Sequence, residues 1–202
     1  GLLMIRAFHH DAGQTGRDVV IVTDSAHGSN PATATMCGCA VRTLRSRPDG
    51  QVDLEHLDTL LDDRVAAVML TQPNTAGVFE REIEELGRRT HDTGALLYMD
   101  GANMNALAGI LRPADLGVDV MQINLHKTFA TPHGGSGPGS GPVLCREALA
   151  PYLPLPIVER VESGGAPRYR WVAERPQSIG RVRSFAGNWS VIVRAYAFMR
   201  LL

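Results

Sequence analysis

Lysine is almost missing from this chain. Of its 202 residues, 20 are lysine or arginine, and Lys127 is the one lysine among them. An arginine does not give up its proton in a protein, whereas a lysine amine can, and it can then condense with a carbonyl. A chain that meets every other cationic need with arginine points to chemistry at that single amine. Charge is also nearly balanced, at -1, which excludes bulk attraction to nucleic acid or to an anionic membrane surface. No run of about 18 apolar residues occurs, so no spanning helix is expected. Cysteine is scarce: Cys37, Cys39 and Cys145 give no disulfide framework. Cys37-Gly38-Cys39 is too close for an ordinary bridge and has no second pair for zinc, so small buried thiols in a reducing compartment are expected. An initiating methionine and a signal peptide are absent too. The apolar helical pattern of residues 1–8 starts without a cap, and that of residues 191–202 breaks off, so the chain is expected to be a fragment.

What is present has the composition of a globular domain, 44% hydrophobic and 20% charged, and the length of one large domain or most of one. Apolar runs alternate between two periods. Residues 18–23, 41–44, 65–70, 95–99 and 118–123 read as short buried strands, and residues 143–146 as an antiparallel return strand. Helices are expected over residues 2–12, 32–40 (opened by Asn30-Pro31), 53–61 (capped by Asp53), 80–93 and 191–202. Strand and helix in alternation predict an α/β fold with a mainly parallel sheet and flanking helices. Residues 1–150 are expected to form the main domain. From Pro151 onward, prolines and a basic, aromatic stretch suggest an excursion before the last helix.

In parallel sheets ligands gather beyond the carboxyl ends of the strands. Four polar clusters fall there: Ser25-Ala26-His27, Thr71-Gln72-Pro73-Asn74, Asp100, and His126-Lys127. A carboxylate ending one strand and a lysine after the next are the two protein groups that a pyridoxal phosphate (PLP) ring requires. The carboxylate keeps the pyridinium nitrogen charged and the lysine holds the aldehyde as a Schiff base. Ala102 is small enough to lie against the ring face. His27 is a candidate for steering the substrate carboxylate, moving a proton or meeting the ring oxygen, or else bonds a neighbouring backbone. His126 either meets the cofactor phosphate or braces its loop. Asn74 either reaches the ring hydroxyl or serves a Pro-Asn turn. His9-His10-Asp11 has a metal-like look but lacks further ligands at metal spacing. The glycine-rich run 133–142 is no P-loop, because no Gly-Lys-Ser/Thr follows; its glycines are expected to let backbone approach a cofactor or a partner subunit.

Four runs carry a resemblance: SAHGSNPA at 25–32, NLHKTF at 124–129, the glycine loop at 133–142, and GRVRSF at 180–185. Together they closely resemble the P-protein family of the glycine cleavage system, the PLP-dependent glycine dehydrogenases (decarboxylating), in the C-terminal half or second subunit. Ser29, Gln72, Ser136 and Ser140 depart from the usual residues. The resemblance implies the large domain of PLP fold-type I, incomplete here, with residues 151–202 leading toward a small C-terminal domain. It implies PLP bound covalently to Lys127, with Asp100 on the ring nitrogen. It implies decarboxylation of glycine and transfer of the aminomethyl group to the lipoyl arm of H-protein. A second P-protein subunit or half is implied as partner, as homodimer or heterotetramer, in bacterial cytoplasm or the mitochondrial matrix. Nucleic acid and membrane are not implied. The lysine–aspartate pair alone also fits another fold-type I enzyme, an amino-acid decarboxylase or a hydroxymethyltransferase. A non-catalytic partner subunit is a third reading, and a metal-dependent hydrolase a distant fourth.

Overall fold

The computed structural model describes residues 1–133, 139–184 and 187–202, apart from the side chains of Ser163 and Ala166. The expected loop segment Gly134–Pro138 and the Phe185-Ala186 pair of the GRVRSF run lie outside the described residues. Strands β1 (Val19–Thr23), β2 (Ala40–Leu44), β3 (Val65–Thr71), β4 (Leu96–Gly101), β5 (Val120–Ile123) and β6 (Val143–Cys145) form one sheet in the order β2-β1-β3-β4-β5-β6. The first five run parallel and β6 is antiparallel to β5, as the sequence pattern predicts. β1 and β3 are buried along their whole length, which explains their unbroken apolar, β-branched character: helices cover both faces.

One face packs Val19, Ile21, Val68, Leu70, Leu97 and Met99 against α3 (Leu54–Leu60) and α4 (Ile83–Asp92). The other packs Val20, Val22, Ala67, Met69, Tyr98 and Val120 against α1 (Leu2–Asp11). Asp53 caps α3 as expected, its Oδ1 accepting the His56 N–H at 3.0 Å.

Two helices differ from the sequence expectation by three residues or more at their starts. Helix α2 covers Ser29–Met36, three residues earlier than the apolar pattern suggests; it starts inside Ser29-Asn30-Pro31, and Gly38, with φ of 74°, turns the chain toward β2. Helix α4 begins at Ile83 rather than Glu80. The backbone N–H groups of Glu80 and Arg81 are held by the side chains of Gln72 and Gln51, so this stretch is pinned outside the helix. Beyond β6, the basic aromatic stretch forms a separate antiparallel hairpin, β7 (Ile157–Ser163) with β8 (Ala166–Val172). The last helix, α6 (Trp189–Leu201), buries Val191 and Ala195 against Leu125.

Candidate functional site

The carboxyl ends of β3, β4 and β5 place three polar residues in one lateral row. Thr71 is opposite Asp100, and Asp100 is opposite Gln122. Gly101 lets the strands approach this closely. A Cβ there would run into the backbone carbonyl of Gln122 and lie 2.7 Å from Met121 Cε. A cavity of about 210 Å³ opens above the row, lined by Thr71, Asp100, Ala102, Gln122, Lys127 and His27 among others. A larger, mostly apolar cleft of about 630 Å³ lies between α6 and the segment after β5, and it holds none of the candidate groups.

Lys127 sits in a helical turn, α5 (Leu125–Thr128), directly after β5. Asn105 Nδ2 donates to its carbonyl at 3.2 Å, which ties α5 to the segment following β4. Among the described residues its ammonium makes no ion pair or hydrogen bond, so the amine is uncommitted at the cavity wall.

Asp100 is 3% exposed. Its Oδ1 accepts from the Ala102 N–H at 3.0 Å and from Gln122 Nε2. Among the described residues no bond reaches Oδ2, which leaves that oxygen for a donor presented from the cavity. A buried carboxylate half satisfied in this way suits a charged ring N–H. Thr71 is 4% exposed, and among the described residues its buried hydroxyl has no hydrogen-bond partner, a second unsatisfied group at the cavity. With the amine of Lys127 and the small Ala102, this donor and acceptor set fits a pyridoxal ring with its aldehyde, ring nitrogen and hydroxyl.

His27 lines the same cavity. Its Nδ1 accepts the Ser29 N–H at 3.1 Å and lies 2.8 Å from Ser29 Oγ, at the start of α2. A backbone N–H can only donate, so the neutral ring carries its proton on Nε2, which remains available as a donor.

Two expected site residues are employed elsewhere. Asn74 Nδ2 donates to the Gly50 carbonyl at 2.9 Å, and its Oδ1 accepts from the N–H groups of Ala76 and Val78. Its oxygen is held by its own turn and its nitrogen by the loop before α3, while the neighbouring Thr75 is the one that lines the cavity. His126 Nδ1 accepts from the Ser140 N–H at 3.3 Å, and its ring stands edge-on to His133, 4.2 Å between centroids. Burial, followed by the charges of His133 and Lys127, lowers its pKa, in keeping with its accepting the Ser140 N–H. Gln72 likewise faces away, paired through both amide atoms with the backbone of Glu80. His9 is buried, with its ring nitrogens 2.9 Å from Ala66 O and Gln14 Oε1. Among the described residues no group of three or more His, Cys, Asp or Glu side chains is placed to hold a metal.

Gln122, Thr71, Thr75, Asn103 and Asn124 complete the cavity wall without having been singled out as site residues. For Gln122 and Thr71 the available signal was polarity at an inward position of an otherwise apolar strand.

Comparison with known proteins agrees with this geometry. Residues 3–150 match the family model for aminotransferase class-V. The whole chain is 57% identical over 203 residues to a probable glycine dehydrogenase (decarboxylating) subunit 2 of Thermus thermophilus, covering 42% of that protein. It is 52% identical over 202 residues to the similarly named protein of Prosthecochloris aestuarii, covering 41% of it. The chain thus spans about two fifths of the length of these relatives. Among solved structures, glycine decarboxylase (P-protein) of the glycine cleavage system superposes on all of this chain and 46% of its own length, with a TM-score of 0.77 at 19% identity. A Burkholderia pseudomallei sphingosine-1-phosphate lyase gives 0.64, again at 19% identity, covering all of this chain and 45% of that one. The sheet, the strand-end row and these matches together show that the chain belongs to the aminotransferase class-V family, on PLP fold-type I.

Proposed function

We propose that this chain carries the catalytic lysine and aspartate of a PLP-dependent glycine dehydrogenase (decarboxylating), which passes the aminomethyl group of glycine to the lipoyl arm of H-protein. The observation that carries the reading is the meeting, at one cavity, of the chain's single lysine and a buried aspartate with one oxygen uncommitted. The names of the relatives that match along the whole of this chain support the substrate and the reaction.

When bound, PLP supplies a conjugated ring that accepts the electron pair released as carbon dioxide leaves. Asp100 Oδ2 would accept the ring N–H and hold the nitrogen charged. Lys127 Nζ, at the cavity wall, would hold the aldehyde and, as a free amine, would take and return a proton at the reacting carbon. His27 Nε2–H, at the cavity wall, would donate to the substrate carboxylate or the ring oxygen. Ala102 leaves room for the ring face, and Thr71 offers the hydroxyl that Asn74 cannot supply as an amide. His126 serves as a loop brace in this reading rather than as a phosphate ligand. The reading includes a division near residue 150 between the cofactor domain and the excursion, a second P-protein subunit or half as partner, and a bacterial cytoplasmic setting.

The test is borohydride reduction of the full-length protein loaded with PLP, followed by peptide mapping. A phosphopyridoxyl group on the Lys127 peptide is expected, and its loss in Lys127→Ala. Label elsewhere, or none with PLP present, would remove the assignment. Exchange of carbon dioxide with glycine that depends on H-protein separates this enzyme from another decarboxylase or a hydroxymethyltransferase on the same fold.

A further inference from the structure

Gln122 and Tyr98 lie on the same face of the sheet as Asp100. Tyr98 is two residues before Asp100 on β4, and Gln122 is the β5 partner directly opposite Asp100. Tyr98 Oη donates to Gln122 Oε1 at 2.5 Å, and Gln122 Nε2 donates to Asp100 Oδ1. Chemistry sets the direction of this chain of bonds. An ionised carboxylate only accepts, so the amide nitrogen must face Asp100. The amide oxygen then faces Tyr98, and the phenol must donate to it. Tyr98 is 5% exposed. Its burial, followed by the nearby charge of Asp100, raises its pKa well above the ordinary phenol value, so it keeps the proton that the arrangement needs.

We propose that Gln122, oriented by Tyr98, is a positioning residue that holds Asp100 Oδ1 so that Oδ2 is presented to the cofactor ring nitrogen. This rests on the assignment of Asp100 to that nitrogen. Rotating the carboxylate away breaks two hydrogen bonds at once, the Gln122 amide and the Ala102 N–H, both on Oδ1. The amide cannot flip to relieve the loss, because the flipped oxygen would face the carboxylate. The carboxylate sets which end of the amide faces it, and Tyr98, by donating to the amide oxygen at the other end, holds the Gln122 side chain in that position.

The experiment uses the full-length protein and two variants: Gln122→Met, which has similar length but no hydrogen bonding, and Tyr98→Phe. Three quantities are read: PLP affinity of the apoprotein by titration, the ¹⁵N resonance of the ring nitrogen in ¹⁵N-labelled PLP, and the melting of each apoprotein. Gln122→Met is expected to weaken PLP binding by roughly tenfold to hundredfold. It is also expected to move the ring-nitrogen resonance toward the unprotonated value. Tyr98→Phe should do the same in the same direction, by about threefold to tenfold in affinity. The double variant should be no worse than Gln122→Met alone, because Tyr98 acts only through Gln122. Additive effects, or a resonance unmoved in Gln122→Met, would overturn the proposal. Should Gln122→Met fail to fold, the resonance in Tyr98→Phe decides alone. If the wild type itself shows no protonated ring nitrogen, the Asp100 assignment falls and takes this proposal with it. A protonated wild type with indifferent variants removes only the relay.

Discussion

Replacing Gly101 with Ala should damage the site through the backbone while leaving every chemical group in place. Gly101 ends β4, immediately after Asp100, and pairs with Ile123 on β5. An added Cβ would collide with the backbone carbonyl of Gln122, with Met121 Cε at 2.7 Å and Ile123 Cγ2 at 3.2 Å. Met121 can bend aside, since its end is flexible. The carbonyl cannot, because the hydrogen bonds of the parallel ladder hold the strands at about 4.8 Å. Carbon contacts settle near 3.5–4.0 Å, so β4 and β5 must part locally by on the order of 1 Å. Overpacking of this kind costs about 1–3 kcal/mol, and an immovable backbone atom puts the cost at about 2–3. In a domain of this size that lowers Tm by roughly 5–10 °C. Parting the strands also separates Asp100 from Gln122, and a displacement of about 1 Å at a reacting group costs on the order of a hundredfold in rate. Thermal unfolding and PLP titration of the full-length variant measure both effects. Gly16→Ala is the control, because a Cβ there meets nothing within 4 Å and φ is not positive. If Gly101→Ala melts with the control and binds PLP like the wild type, the close approach of β4 and β5 is not what builds the row.

Thr71→Val should weaken PLP binding while leaving the apoprotein as stable or slightly more stable, because it removes a buried hydroxyl that has no partner; PLP titration and melting of the same sample test the two halves together. Glu80→Gln should stabilise the protein increasingly as pH rises. Burial raises the Glu80 pKa above the ordinary carboxylate value, and its Oε1 is buried without a partner. The folded state therefore holds a proton that the unfolded state has already released, so wild-type stability falls as pH climbs from the unfolded pKa through the raised one. The advantage of the glutamine should grow across that window and then level off, which denaturant unfolding at a series of pH values would show; a constant difference would refute the cause.

The periodicity of apolar residues already contained the α/β alternation, because a strand buried on both faces must be apolar throughout and a covering helix must be striped. It likewise marked Lys127 and Asp100, since the scarcity of one residue type and a carboxylate at a strand end are visible without coordinates. The return strand β6 and the cap at Asp53 were legible for the same local reason. The limits of α2 and α4 were not: α2 starts early through Ser29-Asn30-Pro31, and α4 starts late because the side chains of Gln72 and Gln51, distant in sequence, hold the backbone of residues 80 and 81.

Only the tertiary structure could separate the remaining candidates. From the sequence Asn74 is the candidate for the ring hydroxyl, whereas Thr71, three residues earlier at the end of β3, is not singled out. The fold turns the Asn74 amide into the loop, toward Gly50, Ala76 and Val78, and leaves the Thr71 hydroxyl unsatisfied at the cavity. Gln122 reads in the chain as one polar residue in an apolar strand. Its role depends on register, which sets it opposite Asp100 and within reach of Tyr98, and register is fixed by pairing between segments more than 20 residues apart. Residue type decides which chemistry is possible, whereas the direction in which each polar side chain is satisfied depends on neighbours that only folding supplies.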